Sequence, residues 1–181
     1  MPTPLRSQQS AFGHFCFSNY THCRFIPMPQ KTQPSEQDFN PHGDDLDARS
    51  AWLNFGSLTI EEALLKFRDH PMRYQDDFAF MGSHAFIFYF PVLDTYMRDF
   101  QVAEEADAVL PPVIVGSIIT SQLDLSASSV LFPLHQNIRS LADYVFTHLR
   151  SLATEPRDQE WITSSWQKVY EALERDSAEM F

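Results

Sequence analysis

The sequence predicts a mainly α fold, a compact bundle of about five to six helices preceded by a disordered N-terminal arm. Three observations carry that expectation. Apolar residues over most of 59–175 recur at spacings of three and four rather than two. Helix-start and helix-stop residues stand at the ends of those runs. The first 48 positions show no such period and are rich in Pro, Gln, Ser and Asn. The division that follows is a disordered or extended arm over 1–48 and a single helical domain over 49–181.

The arm ends in the polar run Asn40-Pro-His-Gly-Asp-Asp-Leu-Asp47, a loop by composition. Met28 offers an alternative start, which would make the preceding residues a translated leader. The helical pattern sharpens from Trp52, and Thr59-Ile-Glu-Glu62 has the spacing of a capping box. There the Thr59 hydroxyl takes an orphan N–H and Glu62 reaches back. Ile60, Ala63, Leu64 and Phe67 then share a face, and His70-Pro71 stops the helix. A short helix fits Arg73 to Met81, with Tyr74, Phe78 and Met81 on one side, Asp76 and Asp77 toward the other, and Gly82 as a left-handed terminator.

Ser83 can cap the next helix, where Phe86, Phe90, Leu93, Met97 and Phe100 form one apolar stripe. A buried strand over Ala85–Phe90 competes by period alone, and the length of the stripe decides for helix. Pro91 then lies inside the helix and deprives the carbonyl four positions back of its partner. An acidic connection, residues 101–111, leads to Pro112, which opens a helix through Gln122. Its β-branched Val113, Ile114, Val115, Ile118 and Ile119 leave a strand as the alternative. After a polar break at Ser126–Ser129, Pro133 starts a helix over Leu134–Leu152. After Thr154-Glu-Pro156, a last helix runs to about Arg175 with Trp161, Ile162, Trp166, Val169 and Leu173 inward.

Hydrophobic residues at 44 % and charged residues at 20 % are the proportions of a globular chain, and sixteen Phe supply a large buried area. The formal charge is −11, unevenly spread: residues 36–181 carry ten basic and twenty-four acidic side chains. Such a surface repels phosphate backbones, which argues against nucleic acid as a partner. Ala85–Leu93 is too short to span a bilayer, and the amino terminus lacks a basic stretch followed by an apolar one. Cys16 and Cys23 both lie in the arm, so the composition fits a reducing, cytoplasmic location without a disulfide framework.

Two constellations invite a chemical reading. His14, Cys16, His22 and Cys23 are metal-ligating types, but the five residues between the pairs are too few to fold round an ion. Incidental ligands on an arm is the simpler account, and no metal or cofactor is expected. Tyr74, Asp76, Asp77, His84 and Tyr89 cluster about the turn between two helices, and a histidine near a carboxylate can serve as general base or ligand. Adjacent aspartates diverge on a helix, however, and no Glu-x-x-His or His-x-x-x-His pair is present. Capping and surface roles fit better, so these five are candidate binding residues and no catalytic residue is assigned. His135 and His148 invite the same caution. No Gly-x-Ser-x-Gly and no glycine-rich phosphate loop appears among the five glycines.

Asn54-Phe-Gly56, Ser57-Leu-Thr-Ile-Glu-Glu-Ala63, Tyr74-Gln-Asp-Asp-Phe78, Phe80-Met-Gly82 and Ala85-Phe-Ile-Phe-Tyr-Phe-Pro91 together resemble small bacterial proteins of unknown function. The resemblance covers about Trp52 to Leu152. It implies a helical domain centred on an aromatic run ending Tyr-x-Pro, and it brings no activity or cofactor. The expectation is a non-enzymatic protein that binds another protein or its own copy, the aromatic helix supplying the face. An inhibitor of a basic toxin is one form of it, and a small metal-dependent enzyme centred on Asp76, Asp77 and His84 is the rival.

Overall fold

The structure, a computed structural model, describes residues 32–100, 110–126 and 128–179, all within the unit Lys31–Phe181. Regular structure among them is α1 (Glu36–Phe39), α2 (Leu46–Phe55), α3 (Ile60–Asp69), α4 (Pro71–Phe80), α5 (Ser83–Arg98), α6 (Leu110–Leu125), α7 (Ser128–Leu131), a 3-10 turn (Phe132–Leu134), α8 (His135–Thr147), α9 (Leu149–Leu152) and α10 (Pro156–Glu179). The described residues contain no strand, and the mainly α expectation holds. The earliest part of the arm, with Met28, both cysteines, His14 and His22, lies outside the described residues. So does most of the acidic connection before Leu110.

The arm expected over 1–48 reaches too far along the chain, because the fold already includes residues 32 onward. Asp38 closes α1 by accepting from the Ser35 N–H (2.8 Å) and hydroxyl (2.7 Å). Phe39, fully buried, stands edge-on to Trp52 at 5.5 Å and tilted against Tyr89 at 5.8 Å. Asp45 caps α2 by accepting from the N–H groups of Asp47 and Ala48. The run read as loop therefore contains a helix start.

The Thr59–Glu62 box forms as its spacing predicts, with N–H to carboxylate at 2.9 Å and N–H to hydroxyl at 3.2 Å. Two details at the next turn differ. α4 begins at Pro71, whose missing N–H is harmless in a first turn. Gly82 is not left-handed, having φ −57°. It is small because α1 lies against it: a Cβ there would sit 2.3 Å from the Asp38 carbonyl oxygen, and its own N–H donates to the Phe39 carbonyl at 2.7 Å. Ser83 does not cap α5 but shares a hydrogen bond with the Ser126 hydroxyl at 2.8 Å.

α5 runs unbroken through Pro91 and is the central helix, with α1, α3, α6 and α8 all packed against it. Nine of its sixteen residues are buried, including Phe86, Tyr89, Phe90, Tyr96 and Met97. That environment offsets the roughly 3 kcal/mol that an interior proline costs. Most of its aromatic rings are core, and the side left uncovered carries His84, which is exposed, and Phe88, Pro91, Thr95 and Arg98, which are half-buried. Phe55, Phe67 and Phe78 extend the same core with edge-on ring pairs 5.0 Å apart, each worth about 0.5–1.5 kcal/mol beyond the area buried.

α6 is helical despite its β-branched residues, because Ile114, Val115, Ile118 and Ile119 are buried and both α4 and α10 pack against the helix. At Gly116 side chains of α10 come close, since a Cβ would lie 2.6 Å from the Ser165 hydroxyl. Beside it the Trp166 indole donates to the Pro112 carbonyl at 2.9 Å. The polar break at Ser126–Ser129 is narrower than expected, since α7 starts at Ser128. The helix expected over 134–152 divides at His148, whose ring stacks on Tyr144 at 4.2 Å and sits by the Tyr144 carbonyl. α10 continues to Glu179, and Trp161, one position off the Ile162–Trp166–Val169–Leu173 stripe, is 51 % exposed rather than inward.

Candidate functional site

The last carbonyls of α2 lack intrahelical donors, although the Leu58 N–H of the following turn reaches the Phe55 carbonyl at 2.9 Å. Side chains from three other segments supply the donors. Lys66 Nζ donates to the Asn54 carbonyl at 2.7 Å, the Tyr89 hydroxyl to the Phe55 carbonyl at 2.6 Å, and the Gln33 amide to the Gly56 carbonyl at 3.1 Å. The Lys66 ammonium also lies 5.1 Å above the rings of both Phe55 and Tyr74, so cation–π attraction adds to the bonds. Burial pushes the Lys66 amine down from its usual range, against the pull of Asp77. Burial likewise pushes the Tyr89 phenol up to about 12, which keeps its proton in place as a donor.

Asp77 belongs to this network and is 5 % exposed, a correction to the expectation that it points away from the apolar side of α4. α2 packs on that side, and the Asn54 amide donates to the Asp77 carboxylate at 2.8 Å. Burial raises the Asp77 carboxyl above its usual range, partly offset by hydrogen bonds from Ser50 and Asn54 and by the charge of Lys66. Folded Asp77 thus holds its proton more tightly than unfolded Asp77. Its ionisation works against the fold, and its contribution falls as pH rises from the unfolded carboxylate range toward neutrality. Asp77→Asn is expected to melt higher at neutral pH, since the neutral amide carries no buried charge. The gain should vanish in acid, and thermal scans at both pH values check it.

Tyr89→Phe tests the other side of the network. The Phe55 carbonyl would keep the Leu58 N–H, and the Leu58 carbonyl would keep the Gln33 amide. Neither oxygen is orphaned, so the expected loss is about 1 kcal/mol in urea unfolding rather than the larger penalty of a buried unpaired group.

The five candidate residues do not form one site. Tyr74 and Tyr89 stand edge-on to Phe55 at 5.4 and 6.2 Å, Asp77 bonds the adjacent Asn54, and Asp76 is exposed. His84 is exposed on the start of α5 and faces Asp38 of α1 at 3.5 Å. His135 pairs with Asp176 of α10 at 3.4 Å, and His148 rests on Tyr144. Among the described residues, no three His, Cys, Asp or Glu side chains are placed to hold a metal ion together. The geometry does not assemble the centre on which the metal-dependent enzyme reading depends.

Where α4 turns into α5, a cleft of about 440 Å³ opens between α1, α2, α4 and α6. Phe80 and Leu125, 38 % and 64 % exposed, line it, and Met81, 2 % exposed, lies deep in it. The bonded hydroxyls of Ser83 and Ser126 and the carboxylate of Asp45 add polar groups. Behind it lies Gln122, 2 % exposed, whose single amide nitrogen donates to the carbonyls of Phe78 (2.9 Å), Ala79 (3.0 Å) and Met81 (2.8 Å). The N–H that would continue α4 onto the Phe78 carbonyl is that of Gly82, which bonds Phe39 instead. Gln122 takes its place. The one sequence signal for this residue is a polar side chain at helical spacing, four positions after Ile118 and three after Ile119, which sequence reasoning passed over.

In comparisons with known proteins, the chain matches no family model, no curated protein and no solved structure.

Proposed function

We propose that this is a non-enzymatic protein of the cytoplasm that acts by binding a basic protein partner. One observation carries the reading. Among the described carboxylates only Asp77 and Asp176 are buried, so the acidic excess of the described residues lies mostly on the surface. A field of that sign attracts a cationic protein and repels nucleic acid. It also repels a second copy of the same chain, which favours a different partner over self-association. Among the described residues no helix is long and apolar enough to cross a membrane. The polar side chains drawn to the α2 terminus are committed to holding the fold, which leaves recognition to the surface. An inhibitor that covers the cationic face of a basic toxin is a specific form of this activity.

Selection of a library of random displayed peptides on the full chain tests the reading. The expected result is enrichment of Lys- and Arg-rich sequences whose binding weakens as salt rises. Enrichment of acidic or uncharged sequences, or none at all, would overturn it.

A further inference from the structure

We infer that the cleft at the α4–α5 turn receives an apolar side chain from a basic segment of the partner. This rests on the reading of a basic protein partner and adds where that partner is held and by what chemistry. Phe80 from α4 and Leu125 from α6 are large, apolar and exposed, and both line one concave surface with the buried Met81. Asp45 lines the cleft as well, and its neighbours Asp44 and Asp47 are exposed within two positions of it. Among the described residues no Lys or Arg lines the cleft, and the one basic type there is His42. An apolar recess beside a group of carboxylates complements a segment that carries one apolar residue flanked by Lys or Arg. The apolar residue supplies the desolvated anchor, and the flanking cations supply attraction and orientation.

The recess is also held in shape before any partner arrives. The Gln122 bonds fix the three carbonyls at the end of α4, the Ser83–Ser126 pair ties α5 to the end of α6, and Gly82 lets α1 lie against the turn. A preformed recess spares the ordering cost that a mobile one would add to binding.

The test uses the basic peptides from the selection and the full chain carrying Leu125→Ser or Phe80→Ser. Each change removes an apolar wall and leaves the charge untouched. Leu65→Ser is the control, since Leu65 is exposed on α3 and does not line the cleft. Both cleft variants are expected to bind at least about tenfold more weakly, a loss of ~1.4 kcal/mol, with the control unchanged. Replacing the apolar residue of the peptide by glycine should reproduce the loss on the unaltered protein, which guards against a variant that folds poorly. Basic peptides that bind the parent chain but lose nothing with Leu125→Ser and the glycine peptide would end the cleft assignment while leaving the basic-partner reading intact. Failure of every basic peptide to bind the parent would end both.

Discussion

Gln122→Leu is expected to lower the unfolding free energy by about 2–4 kcal/mol, although the substitution keeps the side-chain size and adds apolar surface. The reason is the asymmetry between making a hydrogen bond and orphaning one. A made bond contributes about 1 kcal/mol, whereas a buried carbonyl left without a donor costs roughly 1–3 kcal/mol. The Gln122 amide has two N–H groups and approaches three carbonyls within 3.0 Å, so one hydrogen is shared. Leucine offers none, and the burial of the site leaves little water to substitute. Urea unfolding followed by circular dichroism reads the loss directly. A change of less than about 0.5 kcal/mol, the ordinary range of a surface substitution, would show that water or a backbone shift replaces the amide.

That residue also marks where sequence reasoning stops. Features set by neighbours three or four positions apart were legible: the Thr59–Glu62 box and the stripe of α5 from Phe86 to Met97 appear as their spacing predicts, with Phe100 falling beyond the end of the helix. α6 was open to two readings because local preference and tertiary packing disagree there, and packing by α4 and α10 decided for helix. α2 was hidden because its cap, Asp45, stands among Asn, Pro, His, Gly and Asp residues that read equally well as a loop. For the candidate site the separation is wider still. Asn54 and Asp77 are 23 positions apart and Gln122 lies 41 to 44 positions from its carbonyls, so no local pattern encodes either contact. Asp77 and Asp76 look alike in sequence, yet one is buried against α2 and the other is exposed. The cleft needs α1, α2, α4 and α6 at once, and its walls, Phe80 and Leu125, are too far apart in sequence for any local spacing to bring them together.

Gly82→Ala separates two accounts of a glycine by the size and even the sign of its effect. With φ −57° the position lies in a region open to any residue. On backbone freedom alone, alanine would stabilise the chain by about 0.4–1 kcal/mol through the unfolded state. The packing argues the reverse. The new methyl would stand 2.3 Å from the Asp38 carbonyl oxygen and 3.0 Å from that of Phe39, and backbone atoms cannot swing aside as a side-chain tip can. α1 would have to withdraw, weakening the Gly82 N–H bond to Phe39 and the fit of the Phe39 ring against Trp52 and Tyr89. Overpacking of this kind costs about 1–3 kcal/mol and the lost bond about 1 more, so the expected net is a destabilisation of roughly 2–3 kcal/mol. Urea unfolding gives the total, and faster amide exchange at Asn40, whose N–H closes α1 onto Glu36, places the damage at α1. An alanine variant as stable as the parent would mean that α1 does not press on the turn, and the preformed shape of the cleft would lose one of its three supports.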